Sequence, residues 1–138
     1  MKKTEEKGKD WDNKGLVSSI KLFWKSGFFS DHKAMTLFGG ALFLNLANGL
    51  ILWIWIEPVD LPIVLHYNVY FGVDVLGDWK EVFFSPLLGW LFLLLNGFLA
   101  ILFFIRKEII GSYLLLLGLF FIELSLAIYS LSLIIINY

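Results

Sequence analysis

Glu123 is the single charged residue in the last 30 positions of this 138-residue chain. Asn45 and Asn96 each stand near the middle of another stretch without charge, residues 34–56 and 82–105, and Asn48 lies one helical turn beyond Asn45. Three separate segments thus offer a polar side chain at similar depth in apolar surroundings. A carboxylate in hydrocarbon costs several kcal/mol, so Glu123 is expected to be protonated, hydrogen-bonded, or both. One chemistry that fits is a proton or cation site, with Glu123 titrating and the asparagines as ligands. The other is a buried hydrogen-bond cluster that fixes helix register, at roughly 1 kcal/mol per bond. The second is preferred, because a proton pathway needs relays and only Ser112, Ser125, Ser130 and Ser132 are on offer.

A second group of chemistry-bearing residues falls between Glu57 and Glu81. The imidazole of His66 with Asn68, Asp74 and Asp78 has the donor types of a metal site, but not the spacing of a metal motif. Mutual hydrogen bonding that folds a compact cap is the expected role. No serine or cysteine stands near His66, so a nucleophilic triad has no support. The chain holds no cysteine at all, which removes disulfides and thiol chemistry. No cofactor, metal site or enzymatic activity is expected.

The segments that must position these residues are unusually apolar. Hydrophobic residues make up 59% of the chain and charged residues 17%, with a mean hydropathy of +0.78. Each of the three apolar blocks exceeds the roughly 20 residues a helix needs to cross a bilayer. A soluble enzyme and a nucleic-acid binder are excluded, and ten lysines against one arginine argue against phosphate recognition by guanidinium groups. The expected fold is all-α, with transmembrane helices over 34–56, 82–105 and 109–136. Residues 1–15 form a solvated cytoplasmic tail. Leu16, Ile20, Phe23, Trp24 and Gly27 share one face of an interfacial amphipathic helix over 16–29. Ser30 and Asp31 are placed to cap the first span. Residues 57–81 form a loop in which Pro58 and Pro62 forbid a continuous helix, and Ile63 to Phe71 with Gly72 and Gly77 suit a short β-hairpin.

Seven-residue spacing adds packing information. Gly111, Gly118, Ser125 and Ser132 form one series on the third span, and Leu116, Glu123, Ser130 and Asn137 a second. Two such seams suit a three-helix bundle, or a bundle with an oligomer contact. Ala41, Asn45 and Gly49 line the first span, and Ser85, Gly89, Asn96 and Ala100 the second. The partners implied are the lipid bilayer and either further copies of the chain or a larger membrane complex.

Charge sets the expected orientation. Residues 1–35 carry eight lysines against five acids, whereas 57–81 carry Lys80 against five acids. Arg106 and Lys107 flank the next turn. By the positive-inside rule the N-terminus is cytoplasmic, the 57–81 loop extracytoplasmic and the C-terminus extracytoplasmic, in a multi-pass protein of the cell membrane. Trp53, Trp55, Trp79, Tyr129 and Tyr138 then fall near the outer interface, and Trp24, Phe28, Phe29 and Tyr113 near the inner one. The first apolar block is too long for a signal-peptide core and is expected to remain as an anchor.

The series His66-Tyr67-Asn68, Gly72, Asp74, Gly77, Phe83 and Pro86-Leu87-Leu88-Gly89 resembles the small membrane domain of SdpI-type bacterial immunity and signal-transduction proteins. That domain places a Pro-x-His-Phe-Asn…Gly…Asp…Gly loop outside, between two spans, with Pro-Leu-Leu opening the second. The likeness covers Pro58 to Asn96. It departs from the pattern where Pro62 precedes His66 by four residues rather than two, and where the glycine comes one residue late. The resemblance implies an envelope protein with an outward sensing or immunity loop. The function expected is therefore a non-enzymatic binding, sensing or immunity module, or else a subunit of a proton- or ion-translocating complex built around Glu123. Cysteines placed at Lys9 and Lys107 should be shielded from a membrane-impermeant thiol reagent in intact cells, and one at Asp78 labelled. Labelling at Lys9 with protection at Asp78 would reverse the orientation.

Overall fold

The computed structural model describes residues 27–137. The tail expected over 1–15 and nearly all of the amphipathic helix expected over 16–29 lie outside the described residues. Three helices carry the fold: α1 (His32–Trp55), α2 (Phe84–Ile105) and α3 (Ile109–Asn137). All three are long and apolar enough to cross a membrane, which implies contact with the lipid bilayer. Large apolar side chains such as Phe43, Trp53, Ile110 and Ile135 point away from the bundle. An antiparallel hairpin of β1 (Ile63–Asn68) and β2 (Gly72–Gly77) stands between α1 and α2.

Each helix boundary has a local cause. Asp31 caps α1 by accepting the Ala34 N–H at 2.9 Å, and its second carboxylate oxygen accepts the Tyr113 hydroxyl at 2.8 Å. Those hydrogen bonds, Ala34's foremost, hold the Asp31 carboxyl below its ordinary range. A 3-10 turn, Trp79–Phe83, leads into α2 from a capping box. In that box the Lys80 N–H donates to Asp78 at 2.9 Å and the Asp78 N–H to Glu81 at 3.2 Å. Pro86 sits in the first turn of α2, where its absent N–H would have no helical partner. At the other end of α2, Lys107 adopts a left-handed φ of 62°. The Glu108 N–H then reaches the Phe103 carbonyl at 2.9 Å and the Lys107 N–H that of Phe104 at 3.0 Å. This closure lets α3 return at once, antiparallel to α2.

The α3 helix packs along both α1 and α2, which meet each other over a shorter length. Two apolar clusters result. Ala34, Ala41, Leu93, Ala100, Phe104, Leu116 and Leu119 fill the half of the bundle near the α2–α3 link, closed by Phe28. Phe28, expected in an interfacial aromatic belt, is instead buried with its ring edge-on to Phe104, centroids 5.3 Å apart. A short 3-10 turn, Phe28–Ser30, after Gly27 folds it under the helices. Leu52, Ile56, Leu65, Val82 and Leu133 fill the hairpin end.

The two seven-residue series on α3 divide. Leu116, Glu123 and Ser130 are buried and form the seam of the bundle. In the other series only Gly111 lies close against a side chain, that of Phe103; Gly118 faces open space and Ser125 is exposed. Turned about 140° from the first series, the stripe beyond Gly111 lies off the contact with α1 and α2.

Because Asp31 titrates lower when folded than its unfolded value of about 3.9, its contribution to stability is present above that pH and lost as pH falls through the folded value. Asp31→Asn keeps a good cap but cannot titrate. The thermal midpoint of the wild type should fall faster than that of Asp31→Asn as pH drops below about 4. Parallel pH profiles would contradict this.

Candidate functional site

Between the two apolar clusters lies a polar layer built by all three helices. Asn45 and Asn48 come from α1, Ser85 and Gly89 from α2, and Glu123 and Ser130 from α3; every side chain among them is at least nine-tenths buried. The Asn45 amide donates to Glu123 Oε2 at 3.0 Å and to the Pro86 carbonyl at 3.1 Å, so one side chain joins α1 to both other helices. Ser85 and Ser130 share a hydrogen bond of 2.8 Å one step toward the hairpin. Gly89 makes room for the group. A Cβ there would overlap the Asn45 amide and come within 2.6 Å of Glu123 Oε2.

Among the described residues, four buried atoms of this layer have no partner: Asn45 Oδ1, Asn48 Oδ1, Asn48 Nδ2 and Glu123 Oε1. Each unpartnered group costs about 1–3 kcal/mol. Against that stand the bonds of Asn45 to Glu123 and to Pro86 and that between Ser85 and Ser130, each worth roughly 1 kcal/mol in a membrane.

Asn96 is not brought to Glu123. Its amide turns back to the Phe92 carbonyl of its own helix at 3.1 Å. It shares a face with Gly89 but lies seven residues further along α2, about 10 Å nearer the link. Gly89, which has no polar side chain to announce it, occupies the level expected for Asn96.

The loop residues are assembled in the hairpin. His66 Nδ1 and Asp74 Oδ1 are 2.7 Å apart on the exposed face. The pairing Val64↔Leu76, His66↔Val75, Tyr67↔Val73 leaves Leu65 and Asp74 as bulged residues. Bulges re-aim side chains: Leu65 turns into the helix-end cluster and Asp74 toward His66. Asn68 accepts the Tyr70 N–H at 2.8 Å, and Gly72 supplies a φ of 78°. Gly77 admits Leu65 and Glu81 against its backbone. All five loop residues singled out by spacing therefore have a place in building the hairpin.

Two contacts absent from the sequence reading hold the hairpin down. The Asn137 side chain accepts the Val64 N–H at 2.9 Å and donates to the Val64 carbonyl at 2.8 Å, standing in for one peptide of a neighbouring strand. The Tyr129 hydroxyl donates to the Leu65 carbonyl at 3.2 Å. Beside them a cavity of about 320 Å³ opens between hairpin and α3, lined by His66, Tyr67, Ser125, Tyr129, Ser132 and Ile136 among others. Asn137 carried a weak signal, its place at the end of the Glu123 series.

Comparison with known proteins finds no matching family model, no matching curated protein and no matching solved structure.

Glycine in a helix costs up to about 1 kcal/mol relative to alanine, so Gly→Ala stabilises where space permits. Gly118→Ala should raise the thermal midpoint or leave it unchanged. Gly89→Ala should lower it clearly, because Asn45 and Glu123 must part. Equal effects at the two positions would remove the close approach at Gly89 from the description.

Proposed function

We propose that this chain is a non-enzymatic membrane module whose hairpin, facing the outside of the cell, is a binding or sensing surface. One observation carries the reading. The hairpin turn is Val69-Tyr70-Phe71, and these side chains are 85%, 91% and 84% exposed. Turns ordinarily carry Gly, Asn, Asp or Ser, whose backbone and hydrogen-bonding habits shape them. Here Asn68 and Gly72 shape the turn from its two ends, which frees three successive positions for large apolar groups. Tyr67, Val73, Val75 and Leu76 extend the exposed apolar surface along the strands. Patches of this kind are characteristic of contact with a partner or a lipid surface. The pins at Asn137 and Tyr129 hold the tip in a fixed position relative to α3, as a recognition element requires. The SdpI-type resemblance of the 58–96 segment lends the reading its immunity or signalling form.

A second reading has its own support. The unpartnered atoms around Glu123 favour a subunit of a proton- or ion-translocating assembly. Reconstituted vesicles containing a pH-sensitive dye decide that reading: flux by wild type that Glu123→Gln abolishes supports it, and its absence from a folded protein counts against it.

For the hairpin, a photoreactive phenylalanine analogue at Phe71 in intact cells should yield a crosslinked product with protein or lipid, and the same group at Lys80 should not. Tyr70→Ser combined with Phe71→Ser should leave the thermal midpoint unchanged, since neither side chain is buried, while removing crosslinking from Val69. Equal labelling at 71 and 80, or a large loss of stability on double substitution, would refute a docking role for the tip.

A further inference from the structure

The four unpartnered atoms in the polar layer set a chemical condition on whatever completes it. Asn45 fixes the starting point. Its amide nitrogen donates to two acceptors, Pro86 O and Glu123 Oε2, so its Oδ1 is an acceptor facing elsewhere. Because Glu123 Oε2 accepts that bond, a proton on the carboxyl belongs on Oε1. The neutral acid then presents one O–H donor. Asn48 presents the N–H donors of its amide, and the two asparagines present one carbonyl acceptor each. The set thus offers both donors and acceptors, and none is bonded to another directly. A guest that both accepts and donates satisfies the set, and water is the smallest such guest.

A bound monovalent cation satisfies it less well. With Glu123 ionised, a cation gains three oxygens at most from these side chains, and the donor Asn48 Nδ2 stays unpaired beside a positive charge. Among the described residues no group of three or more His, Cys, Asp or Glu is placed to hold a metal. The surroundings also favour a neutral guest. Leu93, Leu116 and Leu119 close the layer toward the α2–α3 link, and Leu52, Leu65 and Leu133 close it toward the hairpin.

We propose that the Asn45–Asn48–Glu123 layer is a closed hydration site, in which internal water joins a neutral Glu123 to the two asparagine carboxamides. This concerns what the layer holds and stands apart from the hairpin's role. It also survives an absence of flux in the vesicle assay, because its test reads structure and protonation rather than transport.

The test uses the full chain in lipid nanodiscs at neutral pH. The infrared spectrum should show the C=O stretch of a protonated carboxylic acid, assigned to Glu123 by its loss in Glu123→Gln. Asn48→Leu should keep the acid band but shift it to higher frequency, because the acid loses hydrogen-bonded water. Thermal midpoints in sodium, potassium and lithium chloride should equal that in choline chloride at the same ionic strength. A high-resolution structure should show water density bonded to Glu123 Oε1. Absence of an acid band from the folded wild type would overturn the proposal. So would a sodium-specific rise in midpoint that Glu123→Gln abolishes, which would identify a cation on an ionised carboxylate. An acid band unmoved by Asn48→Leu would remove the water link. If Glu123→Gln does not fold, the salt comparison and the density in the wild type still decide between water and cation.

Discussion

The hydrogen bond from Asn45 to Glu123, made over the bare backbone of Gly89, is the contact on which the arrangement of the three helices depends. Apolar side chains alone discriminate weakly among rotations and slides of helices in lipid, since the surrounding tails are equally apolar. A buried carboxyl and a buried amide discriminate strongly, because each alternative register leaves both without a partner. The additional bond from Asn45 to Pro86 brings α2 into the same register. The apolar clusters on either side then pack as this layer dictates: small Ala34, Ala41 and Ala100 toward the link, and branched Leu52, Ile56 and Leu133 toward the hairpin.

The hairpin inherits its position from that register. Two strands alone are marginal in water and need a further surface. Here the surface is the end of α3, where Asn137 occupies the free edge of β1 and Leu133 meets the bulged Leu65. Asn137 and Glu123 belong to one seven-residue series, so the face of α3 that meets α1 in the middle of the bundle also meets the hairpin at its end. The apolar turn at 69–71 is thereby carried on a support tied to the polar layer through a single continuous helix.

Much of this was legible in residue order, and the exceptions share a cause. Three apolar blocks marked the three helices, Pro58 and Pro62 marked the start of the extended loop, and Gly72 and Gly77 punctuated its hairpin. Glu123, Asn45 and Asn48 were identifiable as buried polar residues because nothing else in their blocks is as polar. Asn96 was wrongly expected at their level because depth was counted from the middle of an apolar block. The true level depends on how far α2 slides along its neighbours, and local composition carries no trace of that. Gly89 was legible as a small residue on the face of the second span but not as the floor of the Asn45–Glu123 contact, for a related reason: its value lies in an absent side chain, visible only when two other helices arrive. The bulges at Leu65 and Asp74 depend on strand pairing, and the small-residue series through Gly118 resembles a packing seam in sequence while lying off the bundle contact.

A double-mutant cycle between Asn45→Ala and Glu123→Leu, measured by reversible unfolding of the full chain in bilayer-like micelles, tests the shared layer most directly. Coupling of about 1 kcal/mol or more is expected, since neither partner retains its bond once the other is gone. The parallel cycle of Asn96→Ala with Glu123→Leu should be additive, because Asn96 bonds its own helix. Additive losses for Asn45 with Glu123, or coupling that instead involves Asn96, would contradict the register on which the whole arrangement rests.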